Sequence, residues 1–189
     1  MSGEAFGLRS YQMTNIVRIF TDGSAIGNPG PGGWGAVLIR GNKRREMSGA
    51  CPWATISEME LLAAVEALRS MPPGTRVELH SDSELLIQGM RGFVFRWRSQ
   101  GWRNRRGSLL HHRDLWTQLI DMDVLLQIRW KWLRGHNGHP LQCRADALAY
   151  AAAKSLASIQ RPRCVNPPFH SPAACRLGKY HQFHRRLCK

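Results

Sequence analysis

Residues 21–35, TDGSAIGNPGPGGWG, hold six glycines and two prolines and follow directly on the apolar run Ile16-Val17-Arg18-Ile19-Phe20. A strand that ends on the carboxylate of Asp22 and then gives up side chains severely limits what can pack or bind there. The plain reading is a flexible hairpin loop after a strand, with Asp22-Gly23 as its turn. The sharper reading is a loop that passes beneath another backbone: glycine clears the space and bare N–H groups face the visitor. Pro29 and Pro31 would then stiffen the loop, so that ordering it on binding costs less entropy. The run lacks a GK[ST] ending, which excludes a nucleotide-binding P-loop.

Around this run the order of elements is legible. Strands are predicted over 16–22, 34–41 and 43–50, with a turn at Gly41-Asn42, then a helix over about 57–70 and a break at Pro72-Pro73-Gly74. A strand over 75–81 feeds a helix near Ser83, and a helix over 111–122, a strand over 127–133 and a helix over 142–157 follow. Three hairpin-connected strands followed by strands alternating with helices imply an α/β fold, a mixed sheet flanked by helices. The length of 189 residues suits one domain with tails.

Four carboxylates stand where such a sheet gathers side chains. Taken singly, each has an ordinary explanation. Glu60 ends a Ser57-x-x-Glu60 capping box, with Thr55-x-x-Glu58 competing for the same job; Asp82 caps the next helix; Asp146 is a helix-start acid. Taken together they read differently. Asp22 and Asp82 fall at the ends of predicted strands, and Glu60 and Asp146 in the first turns of predicted helices. Four clustered acids repel one another unless a cation holds them ionised, and an all-oxygen set suits magnesium or manganese.

Charge points to the partner. The chain carries 27 Lys and Arg against 13 Asp and Glu, and its pI near 10.8 favours a polyanion. No apolar segment approaches the length that spans a bilayer, and the first ten residues lack the basic start and apolar core of a secretory signal, so a cytoplasmic protein is expected. The five cysteines match neither a disulfide framework nor a CxxC site and are expected to be reduced.

The segments IFTDGSAIGNPGPGGWGAVL, EMELLAAVEAL, SDSELLIQGM and WKWLRGHNGHP followed by RADALA resemble, in order and spacing, the type 1 ribonucleases H over residues 14–154. The resemblance implies a ribonuclease H-like fold with a five-stranded sheet, three strands antiparallel and two parallel. It implies hydrolysis of the RNA strand of an RNA/DNA hybrid with two divalent metals, Mg2+ with Mn2+ as an option, leaving 5′-phosphate and 3′-hydroxyl ends. Asp22, Glu60, Asp82 and Asp146 fall on the family's metal-binding positions and His136 on its mobile catalytic histidine. Asn28, Thr55 and Ser57 fall where relatives touch nucleic acid.

The stretch RGFVFRWRSQGWRNRR, residues 91–106, resembles the family's basic handle; Arg98, Arg103 and Arg105 would neutralise phosphates while Trp97 and Trp102 stack or anchor the segment. Three positions depart from the family pattern: Ile56 and Ser57 replace paired asparagines, and Glu84 replaces a glutamine. An apolar side chain does not replace an amide's hydrogen bonds to 2′-hydroxyls. The competing readings are a non-catalytic nucleic-acid binder, against which four retained acids argue, and a DNA integrase or resolvase, which normally lacks this glycine run and histidine turn.

Residues 155–189 carry seven Lys and Arg, four prolines and no acid, which reads as a basic disordered tail. Cys164, Cys175, His181, His184 and Cys188 match no common zinc-finger spacing. The expected organisation is a short extension 1–13, a catalytic domain 14–158 and the tail 159–189, in a monomer with RNA/DNA hybrid as its partner.

Overall fold

The computed structural model describes residues 16–103, 106–134 and 138–160. Its five strands are β1 (Ile16–Ala25), β2 (Gly30–Arg40), β3 (Lys43–Ala54), β4 (Arg76–Ser81) and β5 (Gln127–Trp132), and they lie side by side in the order β3-β2-β1-β4-β5. β1 is antiparallel to β2 and β2 to β3, while β4 runs parallel to both β1 and β5. The expected mixed sheet of three antiparallel and two parallel strands is therefore the sheet observed.

Helix α1 (Ile56–Arg69) starts where Thr55 Oγ1 accepts a hydrogen bond from the backbone N–H of Glu58 at 3.2 Å. Its Met59, Leu61, Ala63, Ala64, Val65, Ala67 and Leu68 are buried, and Leu61, Ala64, Val65, Ala67 and Leu68 close the larger core with Val17, Ile19, Val77 and Leu79 of the sheet. Helix α4 (Arg113–Leu125) adds Leu115, Trp116, Leu119 and Ile120 to the same core. Helix α5 (Pro140–Gln160) lies on the opposite face, where Ala145 meets Phe20 and Val37. Proline suits a first helical position, having no N–H of its own to leave unpaired and a φ already fixed near the helical value, and the helix starts two residues ahead of the sequence reading.

The glycine run is not a loop. Asp22 pairs with Gly35, Gly23 with Trp34, Ser24 with Gly33 and Ala25 with Gly32, so only Ile26 to Pro29 separate the two strands. Gly23, Gly33 and Gly35 are bare because helices press on them. A Cβ on Gly33 would stand 2.2 Å from the Ala149 carbonyl oxygen and one on Gly35 2.3 Å from that of Ala145, both on α5. On the other face, a Cβ on Gly23 would stand 2.2 Å from the Glu60 nitrogen of α1. The expectation of space left for a nucleic-acid backbone is corrected accordingly: backbone-to-backbone packing of helices on strands occupies that space.

The basic segment is also not one helix. Helix α2 (Glu84–Gln88) runs into a wide π-helical turn, Gly89–Phe93, and then α3 (Val94–Ser99), with the chain bent at Gly92. Trp116 packs over Gly89, where a Cβ would meet its ring at 2.4 Å. Among the described residues no helix is long and apolar enough to cross a membrane.

Candidate active site

Parallel pairing of β1 with β4 ends at Phe20 and His80, whose rings stack 4.6 Å apart. Side chains alternate along a strand, so two residues further on Asp22 and Asp82 project from the same face at the same level. Asp22 is therefore not at the end of β1, as the sequence reading placed it; it stands where the parallel ladder stops and only the antiparallel one continues. Asp82 follows the last residue of β4.

The ordinary explanations for the other acids fall away. Thr55, not Ser57, caps α1, and Glu60 is the fifth residue of that helix rather than a capping partner. Ser83, not Asp82, caps α2: its Oγ accepts from the Leu86 N–H at 3.3 Å. Asp146 is the seventh residue of α5, beyond the helix start. Freed from local duties, the four carboxylates gather. Burial and then the charges of Asp82, Asp146 and Glu60 push Asp22 up to about 7, against the pull of the Gly23 N–H bonded to its Oδ1 at 2.7 Å. Burial, followed by the nearby Asp82, also raises Glu60, despite the hydrogen bond from Ser83 Oγ to Glu60 Oε2 at 2.6 Å.

Glu60 comes from the face of the sheet opposite α5, and the bare Gly23 is what lets its helix approach the strand end. Among the described residues no three acidic, histidine or cysteine groups close into a ready-made metal cage. The donor set nevertheless fits a hard divalent cation: all oxygen and crowded, with Asp22, Glu60 and Asp82 half-buried, Asp146 exposed, and Asp22 pushed up to about 7 by burial and its acidic neighbours.

Gln142, one turn before Asp146 on α5, escaped the sequence reading. It is 7% exposed, and its Nε2 donates to Asp82 Oδ1 at 3.2 Å and to the Thr21 carbonyl at 3.1 Å. Its Oε1 and the Thr21 Oγ1 are buried without a partner among the described residues. The i, i+4 spacing to Asp146 was the available signal, since it places both on one helix face.

A model of the RNase H family matches residues 14–154. The chain belongs to the ribonuclease H family. It is 44% identical over 137 residues to the ribonuclease HI of Caulobacter vibrioides, covering 72% of this chain and 92% of that relative. With the ribonuclease H of Moorella thermoacetica it shares 44% identity over 147 residues, covering 77% and 97%. Among solved structures, LC9-RNase H1 superposes with a TM-score of 0.68 at 28% identity, covering 75% of this chain and 74% of that one. LC11-RNase H1 in complex with RNA/DNA hybrid superposes at 0.53 with 22% identity, covering 74% and 97%, a likeness of fold. As a ribonuclease H family member the chain is a hydrolase acting on nucleic acids.

The remaining ribonuclease H positions separate into anchored and outward groups. Asn28 is exposed, and its Oδ1 accepts from the Ile56 N–H at 3.2 Å, which binds the β1–β2 turn to the start of α1. Ser57 is half-buried in the first turn of α1. Trp97 stands edge-on to Trp116 at 5.3 Å, and Trp102 also packs on the core, so both indoles are half-buried. Phe93 and Phe95 face outward instead, Phe95 being 56% exposed. Arg98 is exposed, whereas Arg103 donates to the Gly107 carbonyl at 2.6 Å. Arg105 and His136 lie outside the described residues.

Proposed function

We propose that this chain cleaves the RNA strand of RNA/DNA hybrids with Asp22, Glu60, Asp82 and Asp146 as ligands of two divalent cations, Mg2+ or Mn2+, leaving 5′-phosphate and 3′-hydroxyl ends. The observation that carries the reading is the crowding of three carboxylates, Glu60, Asp82 and Asp146, from distant parts of the chain around Asp22, which is pushed up to about 7. Cations bound there would lower the pKa of an attacking water and stabilise the leaving 3′ oxygen in an in-line displacement.

The chain's own residues prepare that chemistry. The sheet register sets Asp22 beside Asp82; Ser83 orients Glu60, and Gln142 holds Asp82. Preorganised ligands avoid reorganisation at the moment of reaction. His136, in the sequence Gly135-His136-Asn137-Gly138, moves a proton or aids product release. Asn28, Thr55 and Ser57 meet the hybrid backbone at the start of α1, and the arm carrying Arg98, Arg103 and Arg105 meets it on the other side, with Trp97 and Trp102 presenting only their outer edges. The name of the LC11-RNase H1 complex, a ribonuclease H holding RNA/DNA hybrid, supports this substrate class.

The test is cleavage of end-labelled RNA/DNA hybrid beside double-stranded DNA and double-stranded RNA, with and without magnesium, followed by analysis of the product ends. Cutting of the RNA strand only, dependent on metal, is expected; equal cutting of DNA duplex would turn the reading toward an integrase-like nuclease. The catalytic unit is proposed to be residues 14–158 of a cytoplasmic monomer. Truncation after Ile159 is then expected to leave the melting temperature nearly unchanged and to weaken hybrid affinity modestly for all sequences alike.

A further inference from the structure

Side chains of one sheet face form straight rows across β1, β4 and β5. Register places Ile16 beside Arg76 and Gln127, then Arg18 beside Glu78 and Arg129, then Phe20 beside His80 and Lys131. Asp22 and Asp82 continue this ladder at its upper end. Helix α5 covers the face over β1, β2 and β3, while α2 and α4 pack on β4 and β5 from the opposite side.

What the helices leave open is strongly cationic. Arg18, Arg129 and Lys131 are exposed and Arg76 is half-buried, against Glu78 as the one acid in these rows. Glu78 is engaged by Arg129 at 3.7 Å, and the Arg129 side chain is still 72% exposed. Arg18, Arg76 and Lys131 have no ion-pair partner among the described residues. Both Arg18 and Lys131 lie close enough to His80 for their charges to act on it, which puts the upper end of the strip directly beneath the carboxylates.

We propose that this strip binds the phosphodiester backbone of a single-stranded flank of the hybrid, carrying it from the carboxylates down the open face of β1, β4 and β5. Charge complementarity selects a polyanion, and continuity with Asp22 and Asp82 selects the nucleic acid already seated there. Direction selects the single strand. Row after row, the strip runs along the strands and away from the site, a path that a flexible single strand follows and that a duplex, stiff over tens of base pairs, does not. The proposal rests on the hybrid reading of the site above.

The experiment compares a blunt hybrid with the same hybrid carrying a single-stranded extension of about 12 nucleotides, within the span such grooves cover, by fluorescence anisotropy in EDTA. Wild type is expected to bind the extended hybrid about 10-fold more tightly at low salt, and the triple variant Arg18→Gln, Arg129→Gln, Lys131→Gln to bind both alike. The slope of log K against log salt for the extended hybrid should fall by about 2, from about 0.7 for each lost single-strand contact. If the triple variant fails to fold, the single variants Arg18→Gln and Lys131→Gln should each lower the slope by about 0.7. Replacement by the other cation, Arg18→Lys with Lys131→Arg, should restore the gain. An extension that gives wild type no advantage, or an advantage that survives charge removal, overturns the proposal. Magnesium-dependent cleavage of the blunt hybrid by wild type is read separately, so failure of the ribonuclease reading is distinguishable from failure of the strip.

Discussion

The carboxylate rim and the basic arm sit on the same sheet but are built in opposite ways. At the rim Asp22, Glu60 and Asp146 come from elements of 10, 14 and 21 residues and Asp82 directly follows β4, so sheet register or a core-facing helix sets their positions, and buried polar groups hold two of them: Ser83 on Glu60 and Gln142 on Asp82. In the arm the helices are five and six residues long, broken at Gly92, and the outward residues are Phe93, Phe95 and Arg98. Among the described residues Val94, Trp97, Trp102 and the Arg91 bond to the Trp130 carbonyl at 2.7 Å tie the arm to the body. Cation ligands tolerate little misplacement, whereas phosphate contacts act through charge over a longer range. The rim is therefore built for geometry and the arm for reach.

This contrast breaks first if the rim tolerates change. Asp82→Asn is expected to lower kcat by about 10²-fold or more, in the range for losing a preorganised charge, while hybrid affinity in EDTA stays near wild type. Single-turnover cleavage beside anisotropy reads both, and near-normal turnover would remove the rim from catalysis. Gln142→Leu should cost about 10-fold in kcat with little change in KM, since it leaves the ligand in place and removes what orients it. A rise confined to KM would assign Gln142 to substrate binding.

For the arm the split should invert. Neutralising Arg98, Arg103 and Arg105 together is expected to raise KM by several-fold and to lower the salt slope by up to about 2.7, with kcat changed less, because phosphate contacts stabilise ground and transition states alike. Equal loss in kcat would show that the arm, too, sets geometry. Because Arg103 already bonds the Gly107 carbonyl, its own share should be smaller than that of Arg98.

The smallest effect is on stability. Asp22 and Glu60 are raised above their ordinary values, so without metal the folded state keeps protons that the unfolded state has lost. Stability therefore falls as pH rises from about 4 through about 7, where the Asp22 contribution levels off. Asp22→Asn should raise Tm in EDTA at pH 8 and leave it nearly unchanged at pH 4, and magnesium should raise the wild-type Tm at pH 8 more than that of the variant. A variant with the lower Tm at pH 8 would mean that the Asp22 carboxylate is structurally favourable where it sits.

Much of this was legible in the chain alone. Period and punctuation set out five strands and the helices between them, because alternation and turn chemistry are local properties. The identity and order of Asp22, Glu60, Asp82 and Asp146 pointed to a hard-cation site, since chemistry of that kind depends on residue type. What the chain alone misassigned was the reason for its glycines. A bare strand and a bare loop have the same composition, and only the approach of α5 to Gly33 and Gly35 distinguishes them. The hold of Gln142 on Asp82, across sixty residues, and the inward turn of Trp97 and Trp102 were decided by tertiary structure for the same reason. So was the cationic strip: Arg18, Arg76, Arg129 and Lys131 are scattered in sequence and become neighbours only through parallel register, which long-range packing sets. Local pattern tells which way a side chain faces along its own element, but what it faces depends on which distant element the fold brings against it.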